Sequence, residues 1–299
     1  MARAPAQSAS LSPPQAQSQS ASLWQHAWRR LRRNKLAVAG GSAIILMAML
    51  AIGADVIAPY HYTTPNFGRN FEFPNREFLL GTDHLGRDVL SRIIYGARVS
   101  MTVGVVAECI VLAIGVPLGA LAGFYGGRLD MILMRFVDVM YAFPRLLFVI
   151  MIMSMLGRGL LNIFIAIGLT GWVRVARLTR AQMLSLKERE FCEAARAAGA
   201  GNLVIIMRHL LPNALTPIII SLTFGIPEAI FTEAALSFIG VGISPPIPSW
   251  GQMVGENQQF IRSYWYLCVF PATGIATIML AFTFLGDGLR DALDPKLSE

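Results

Sequence analysis

Charge is scarce in this 299-residue chain. Asp, Glu, Lys and Arg make up 14% of it, against about 25% in an average soluble protein, while 55% of the residues are hydrophobic. A soluble core could not hide that much apolar surface, so a membrane class is the first inference. Lysine is scarcer still: of 25 basic residues only Lys35, Lys187 and Lys296 are lysines. None of them follows a glycine, so the phosphate-cradling G-x-x-x-x-G-K-[ST] motif is missing. No G-x-S-x-G elbow and no H-E-x-x-H pair occurs, and the four histidines are scattered without metal-ligand spacing. Cys109, Cys192 and Cys268 lie far apart with no C-x-x-C pair, which points to unpaired packing and away from a zinc site or a disulfide framework. No catalytic and no metal-binding residues are assigned. The net charge of +7 lies between apolar runs, as membrane topology requires, and nucleic-acid binding is not expected.

What is present is a series of long apolar runs. Residues 1–22 are rich in Ala, Ser, Gln and Pro, cannot bury a core and are expected to be disordered. A basic lead-in, Trp28 to Lys35, then opens the run Leu36–Ala58. A cleaved signal peptide and a twin-Arg export signal are the rivals. The run is too long for a signal core, and the polar motif of a twin-Arg signal is absent, so an uncleaved first span is favoured. Further runs of spanning length are Ser100–Ala122, Phe136–Leu156, Leu161–Ala176, Ala214–Ile239 and Tyr266–Leu285. About 20 helical residues cross a ~30 Å hydrocarbon core. The expectation is an all-α membrane protein with six transmembrane helices. Its parts are a tail (1–22), a lead-in with the first span (23–58), a small external segment (59–97), the transmembrane domain (98–287) with a loop at 181–212, and a cytoplasmic tail (288–299).

Arginine sets the orientation. Arg29, Arg30, Arg32, Arg33 and Lys35 precede the first span, and Arg174, Arg177, Arg180, Lys187, Arg189, Arg196 and Arg208 mark the segment after the fourth. Both groups, and both termini, are therefore predicted to be cytoplasmic. Residues 59–97 are an exception of mixed charge, where Arg69, Arg76, Arg87, Arg92 and Arg98 are offset by Glu72, Glu77, Asp83 and Asp88. Pro144 is predicted to bend the third span, with Asp138 before it as a structural partner.

The segment from Glu193-Ala194-Ala195 through Gly199 to Leu211-Pro212 is the most specific feature. Glu, Ala and Arg favour a helix through Ala198, Gly199 suits its end, and a second short amphipathic segment follows at Leu203–Leu211. An ordinary basic loop on lipid headgroups is the plain alternative. Here the sequence resembles the permease subunits of binding-protein-dependent ABC importers, whose loop signature has Glu-Ala-Ala, a Gly six residues after the Glu, and Leu-Pro at the end. Three further stretches resemble the dipeptide/oligopeptide/nickel branch, C-subunit type: Gly81–Arg92, Ala235–Gly242 with Pro245–Gly251, and Leu285–Pro295. His209 departs from the broad pattern, which often has an aliphatic residue there; Leu210 is expected to fill the packing role. The resemblance implies a type I importer bundle in the inner membrane, with no cofactor of its own. It also implies a second permease, two ATPase subunits carrying ATP and Mg, and an extracytoplasmic solute-binding protein as partners. Glu193, Ala194, Ala195, Gly199 and Pro212 would then form the coupling site for the ATPase. Peptides are the expected solute, with nickel complexes, glutathione and opines as alternatives. A membrane-embedded enzyme and a passive channel are the remote rivals, for which nothing brings a nucleophile or metal to the acids.

Glu108, Glu228 and Glu233 fall within apolar runs and are candidates for the translocation pathway, with hydrogen bonding inside the bundle as the rival reading. Pro248, Ser249 and Trp250 are candidates for an external gate or rim, Trp250 because it suits a membrane interface; plain packing is the alternative. Gly81–Arg92 is expected to be an external cap whose Asp and Arg side chains pair, and Gly286–Pro295 to cap the last helix. Cysteine-accessibility labelling checks the orientation: residues 187–205 should react only from the cytoplasm and residues 64–80 only from outside. Labelling of both from one side contradicts it.

Overall fold

The computed structural model describes residues 23–293; the expectation of a disordered tail at 1–22, and residues 294–299 of the predicted cytoplasmic tail, lie outside the described residues. Helix α1 (Leu23–Arg33) ends on a basic turn and places the Arg32 guanidinium 4.8 Å from the centre of the Trp28 ring. Asn34 starts the first long helix, α2 (Lys35–Ile52), because its side-chain oxygen accepts the Leu36 and Ala37 amides at 3.1 and 3.2 Å. Its outward face, with Ile45, Leu46, Met49 and Ile52, is exposed and apolar, as lipid contact requires. A short α3 (Ala54–Ile57) leads into an irregular segment that reaches residue 88.

The second long helix, α4, runs Val89–Tyr125 and begins well before the expected Ser100. Asp88 caps it, accepting the Ser91 amide at 2.7 Å, so residues 89–97 of the expected external segment are already helical. Gly126 (φ +65°) turns the chain into α5 (Gly127–Ala142). The predicted bend is large: α5 and α6 (Arg145–Leu156) meet at 87° across Phe143-Pro144. Pro144 has no amide to give and restricts Phe143 to an extended conformation, which the helix cannot continue. Helix α7 (Leu160–Leu186) follows, then α8 (Glu190–Ala197), the single turn α9 (Asn202–Val204), a π-helical turn (Ile205–Leu210) and α10 (Leu211–Phe238). Helices α11 (Trp250–Asn257) and α12 (Tyr266–Leu293) complete the chain. Because α12 continues to Leu293, Gly286 lies inside that helix and does not begin a cap. Among the described residues five helices are long and apolar enough to cross a membrane, six if the bent α5–α6 pair is one span.

Small residues let these helices approach. The most extensive contact joins α4 to α7. Gly115, Gly119 and Gly123 recur every fourth residue along α4, and a Cβ added at them would lie 2.9 Å from the Val175 Cβ, 2.8 Å from the Thr179 Cβ and 2.6 Å from the Met183 Cβ. Between lipid-solvated helices this backbone proximity, not water exclusion, supplies the attraction. Trp250 is the second anchor. It is fully buried, wedged between Gly96 and Gly274, and its indole NH donates to the Ile93 carbonyl at 3.1 Å. It therefore fills a slot inside the bundle. Pro248 and Ser249 are buried with it, which supports the plain packing weighed against an external gate or rim. Of the free cysteines in apolar runs, Cys268 is buried as expected whereas Cys109 is exposed; Cys192, in the loop, is buried as well.

Gly119→Leu should drive α4 off α7. Overpacking of a close contact costs about 1–3 kcal/mol, so the variant should unfold at lower temperature than wild type in detergent, with Gly119→Ala between the two. An unchanged melting midpoint for Gly119→Leu contradicts the packing argument.

Candidate functional site

Two features draw together the residues singled out in the sequence: a surface loop between α7 and α10, and a charged site at mid-depth of the long helices.

The loop is built by its glycine. The Gly199 amide donates to the Arg196 carbonyl at 2.9 Å and the Ala200 amide to the Ala195 carbonyl at 3.0 Å, the bond pattern of a helix closed by a left-handed residue. Gly199 has φ +82°, and no neighbour lies within 4 Å of where its Cβ would be, so backbone conformation alone demands glycine there. One face of α8 faces inward through Cys192, which packs with Met183, Ile205 and Leu210. Burial pushes the Cys192 thiol up, which keeps it protonated and inert. The other face is open: Glu193 and Ala194 are exposed, Ala195 is half-buried, and the apolar Leu203 and Met207 stand free beside them. Leu210 is completely buried and takes the packing role expected of it next to His209. Exposed Pro212 sits at the start of α10 and lacks an amide to close a regular turn. The turn before it widens, and Leu211 donates to Ile206. The outcome is one helical rod from Asn202 to Phe238, joining the loop to the bundle interior.

Of the three acids, Glu108 and Glu228 come together and Glu233 stands apart. Glu108 lies near the middle of α4, Arg174 near the middle of α7 and Glu228 in α10, while the α5–α6 break delivers Arg145. Arg145 is ion-paired with Glu228; Arg174 lies 3.3 Å from Glu228 and 3.7 Å from Glu108. Glu108 is buried against Gly225, where any side chain would collide with its carboxylate. Glu228, Arg145 and Arg174 instead line a cavity of about 580 Å³. The roles of Arg145 and Arg174 were missed in the sequence. An arginine directly after Pro144 inside an apolar run was the available signal.

Glu233 is fully buried in a different network. Its Oε1 accepts the Ser237 hydroxyl at 2.7 Å and the Ser249 hydroxyl at 2.6 Å. Each hydroxyl in turn accepts a backbone amide, from Ile243 at 3.2 Å and from Gln252 at 3.0 Å. This ties α10 to the start of α11, the bundle-interior role weighed against a pathway role. Asp138 is likewise structural, pairing with Arg177 at 2.7 Å.

The Gly81–Arg92 stretch forms a cap held by charge pairs, as expected. Arg87 meets Asp83 at 2.7 Å; Arg92, entirely buried, reaches Glu256 at 3.2 Å and Asp83 at 3.7 Å. The Tyr266 hydroxyl lies 2.9 Å from the carbonyls of Glu72 and Thr82 and pins this cap to α12. Beside it, the Arg69 guanidinium holds the Glu72 carboxyl below its usual range. Among the described residues no group of His, Cys, Asp and Glu is placed to hold a metal ion.

Comparison with known proteins places these features in context. The family profile of binding-protein-dependent transport system inner membrane components matches residues 115–299, and that of the N-terminal transmembrane domain of oligopeptide transport permease C matches residues 22–75. The chain is 43% identical over 278 residues to the oligopeptide transport system permease protein OppC of Bacillus subtilis, covering 93% of this chain and 91% of that one. It is 44% identical over 279 residues to the dipeptide permease DppC of the same organism, covering 93% and 87%. It is 39% identical over 275 residues to the glutathione permease GsiD of Pectobacterium atrosepticum, covering 92% and 91%. Among solved structures, the inward-facing MetNI methionine ABC transporter superposes with a TM-score of 0.58 at 18% identity, over 69% of this chain and 97% of that one, and so shares the fold.

The buried Glu233 network makes a thermodynamic prediction. Glu233→Ala leaves two buried hydroxyls without their acceptor, at about 1–3 kcal/mol, and Ser249→Ala removes one of the same bonds. In detergent melts each should destabilise, and the double variant should lose less than the sum of the two. Strict additivity contradicts the network.

Proposed function

The chain belongs to the binding-protein-dependent transport system inner membrane components, a family of multi-pass permeases, and on that premise we propose that it carries short peptides into the cytoplasm as one half of an ATP-driven importer. In this reading a second, similar permease completes the pathway, two ATPase subunits hold ATP and Mg, and an extracytoplasmic binding protein delivers the solute. Both termini and the α8–α9 loop face the cytoplasm, as the arginine asymmetry supports. The chain itself performs no chemistry.

One observation carries the proposal. The exposed face of α8, with Glu193, Ala194 and Ala195, is continuous through the Gly199 turn with the rod that holds Glu228 at mid-depth. ATPase closure against that face would move the rod, and the bundle would alternate between inward and outward access by differential binding of its two states. Peptides are favoured as the solute by the oligopeptide and dipeptide permeases among the relatives. Glutathione, the solute named for a third relative, is itself a tripeptide and falls in the same chemical class. Nickel complexes and opines are alternative cargoes of the same machinery.

Gly199→Val forces a branched residue into left-handed backbone, at about 1–2 kcal/mol, and Glu193→Lys reverses a charge on the proposed docking face. Both changes lie outside the bilayer, so membrane levels should stay normal. Peptide uptake should fall at least about ten-fold, equivalent to 1.4 kcal/mol of coupling, with weakened ATPase binding or uncoupled hydrolysis. Wild-type uptake with normally bound ATPases in both variants refutes the coupling assignment.

A further inference from the structure

The mid-depth cavity contains more charge than packing requires. Ionisable groups inside a bilayer are costly and persist where they face protein or water. Glu233, by contrast, is sealed among serine hydroxyls. Here the side chains of Arg145, Glu228 and Arg174 are 30%, 43% and 46% exposed, open to the cavity left by the 87° break of the third span. Two guanidiniums converge on one carboxylate, and the Arg145 Nε is buried without a hydrogen-bond partner. The remaining wall is apolar and aromatic, including Tyr141 and Phe148.

We propose that the Arg145–Glu228–Arg174 cluster is a transient binding site for the zwitterionic backbone of the peptide during translocation. This rests on the reading of the chain as a peptide permease. The α-carboxylate of the solute takes the place of Glu228 on the two guanidiniums, whose planar forks match it. The released Glu228 accepts the α-ammonium. Side chains of the peptide lie against the aromatic wall, which reads no particular sequence. Each ion pair broken is replaced by another, so net charge in the site is unchanged and the affinity stays low. A pathway needs that balance, since its contents must leave as well as enter. Glu108, sealed behind Arg174, holds that guanidinium in place while Glu228 is engaged by the solute.

The test uses the complete transporter, with partner permease, ATPases and binding protein, in proteoliposomes offered an equimolar mixture of di-, tri- and tetrapeptides, uptake being read by mass spectrometry. Glu228→Gln and Arg145→Gln should each lower peptide uptake at least ten-fold while ATP hydrolysis stimulated by the binding protein stays within two-fold. In parallel, photoreactive benzoylphenylalanine in place of Phe148 should crosslink a radiolabelled tripeptide from the mixture during turnover, and Glu228→Gln in that background should abolish the crosslink. If the wild type takes up no peptide, the peptide-permease reading falls and this proposal with it. If the wild type transports but either variant transports normally, the permease reading stands and the subsite is overturned. The same holds if position 148 captures no peptide, or captures it equally with Gln at 228.

Discussion

Lipid offers no hydrogen bonds, and that constraint organises the whole structure. Every backbone amide and every charge at membrane depth must find a partner in the protein or in a wet cavity. The long helices satisfy their own backbones and meet through glycine stripes, most clearly along Gly115, Gly119 and Gly123. Among the described residues, the sharp break at Phe143-Pro144 lies on the cavity that also holds Arg145, Arg174 and Glu228. The broken backbone and the Arg145, Arg174 and Glu228 side chains thus share one volume. Glu233, by contrast, is buried away from that cavity, with Ser237 and Ser249 as its hydrogen-bond donors.

The two ends of the bundle are built on different principles. The cap of residues 59–88 is fastened to α4 through Asp83 and Arg92, to α11 through Arg87 and Glu256, and to α12 through Tyr266. The α8–α9 loop rests on its apolar underside and presents an open surface of Glu193, Ala194, Leu203 and Met207. The first is suited to holding shape, the second to being gripped.

Much of this was legible in the chain, for physical reasons that differ by site. Run length betrayed the spans, because the hydrocarbon core demands it. The Gly199 turn was legible because helix-forming Glu, Ala and Arg stop at a residue free to take positive φ. Pro144 announced its own break. What could not be read was partnership across the fold. Arg145 and Glu228 are 83 positions apart and meet only because two other helices space them. The start of α4 was misplaced because Arg92 looks like a loop residue until Glu256, far along the chain, neutralises it. The slot that Trp250 fills was equally hidden, because Gly96 and Gly274, which form it, are brought together only by the fold.

The rod that begins at Asn202 is jointed. Pro217 and Pro227 interrupt its hydrogen-bond ladder, and Pro227 immediately precedes Glu228. At 1.5 Å per residue the arm on the loop side of that joint is about 38 Å long, and the arm beyond it about 17 Å. Were the loop gripped as proposed, a stroke there would reach the charged site along the long arm, and a hinge at Pro227 would let the short arm, anchored through Glu233 to α11, lag behind it.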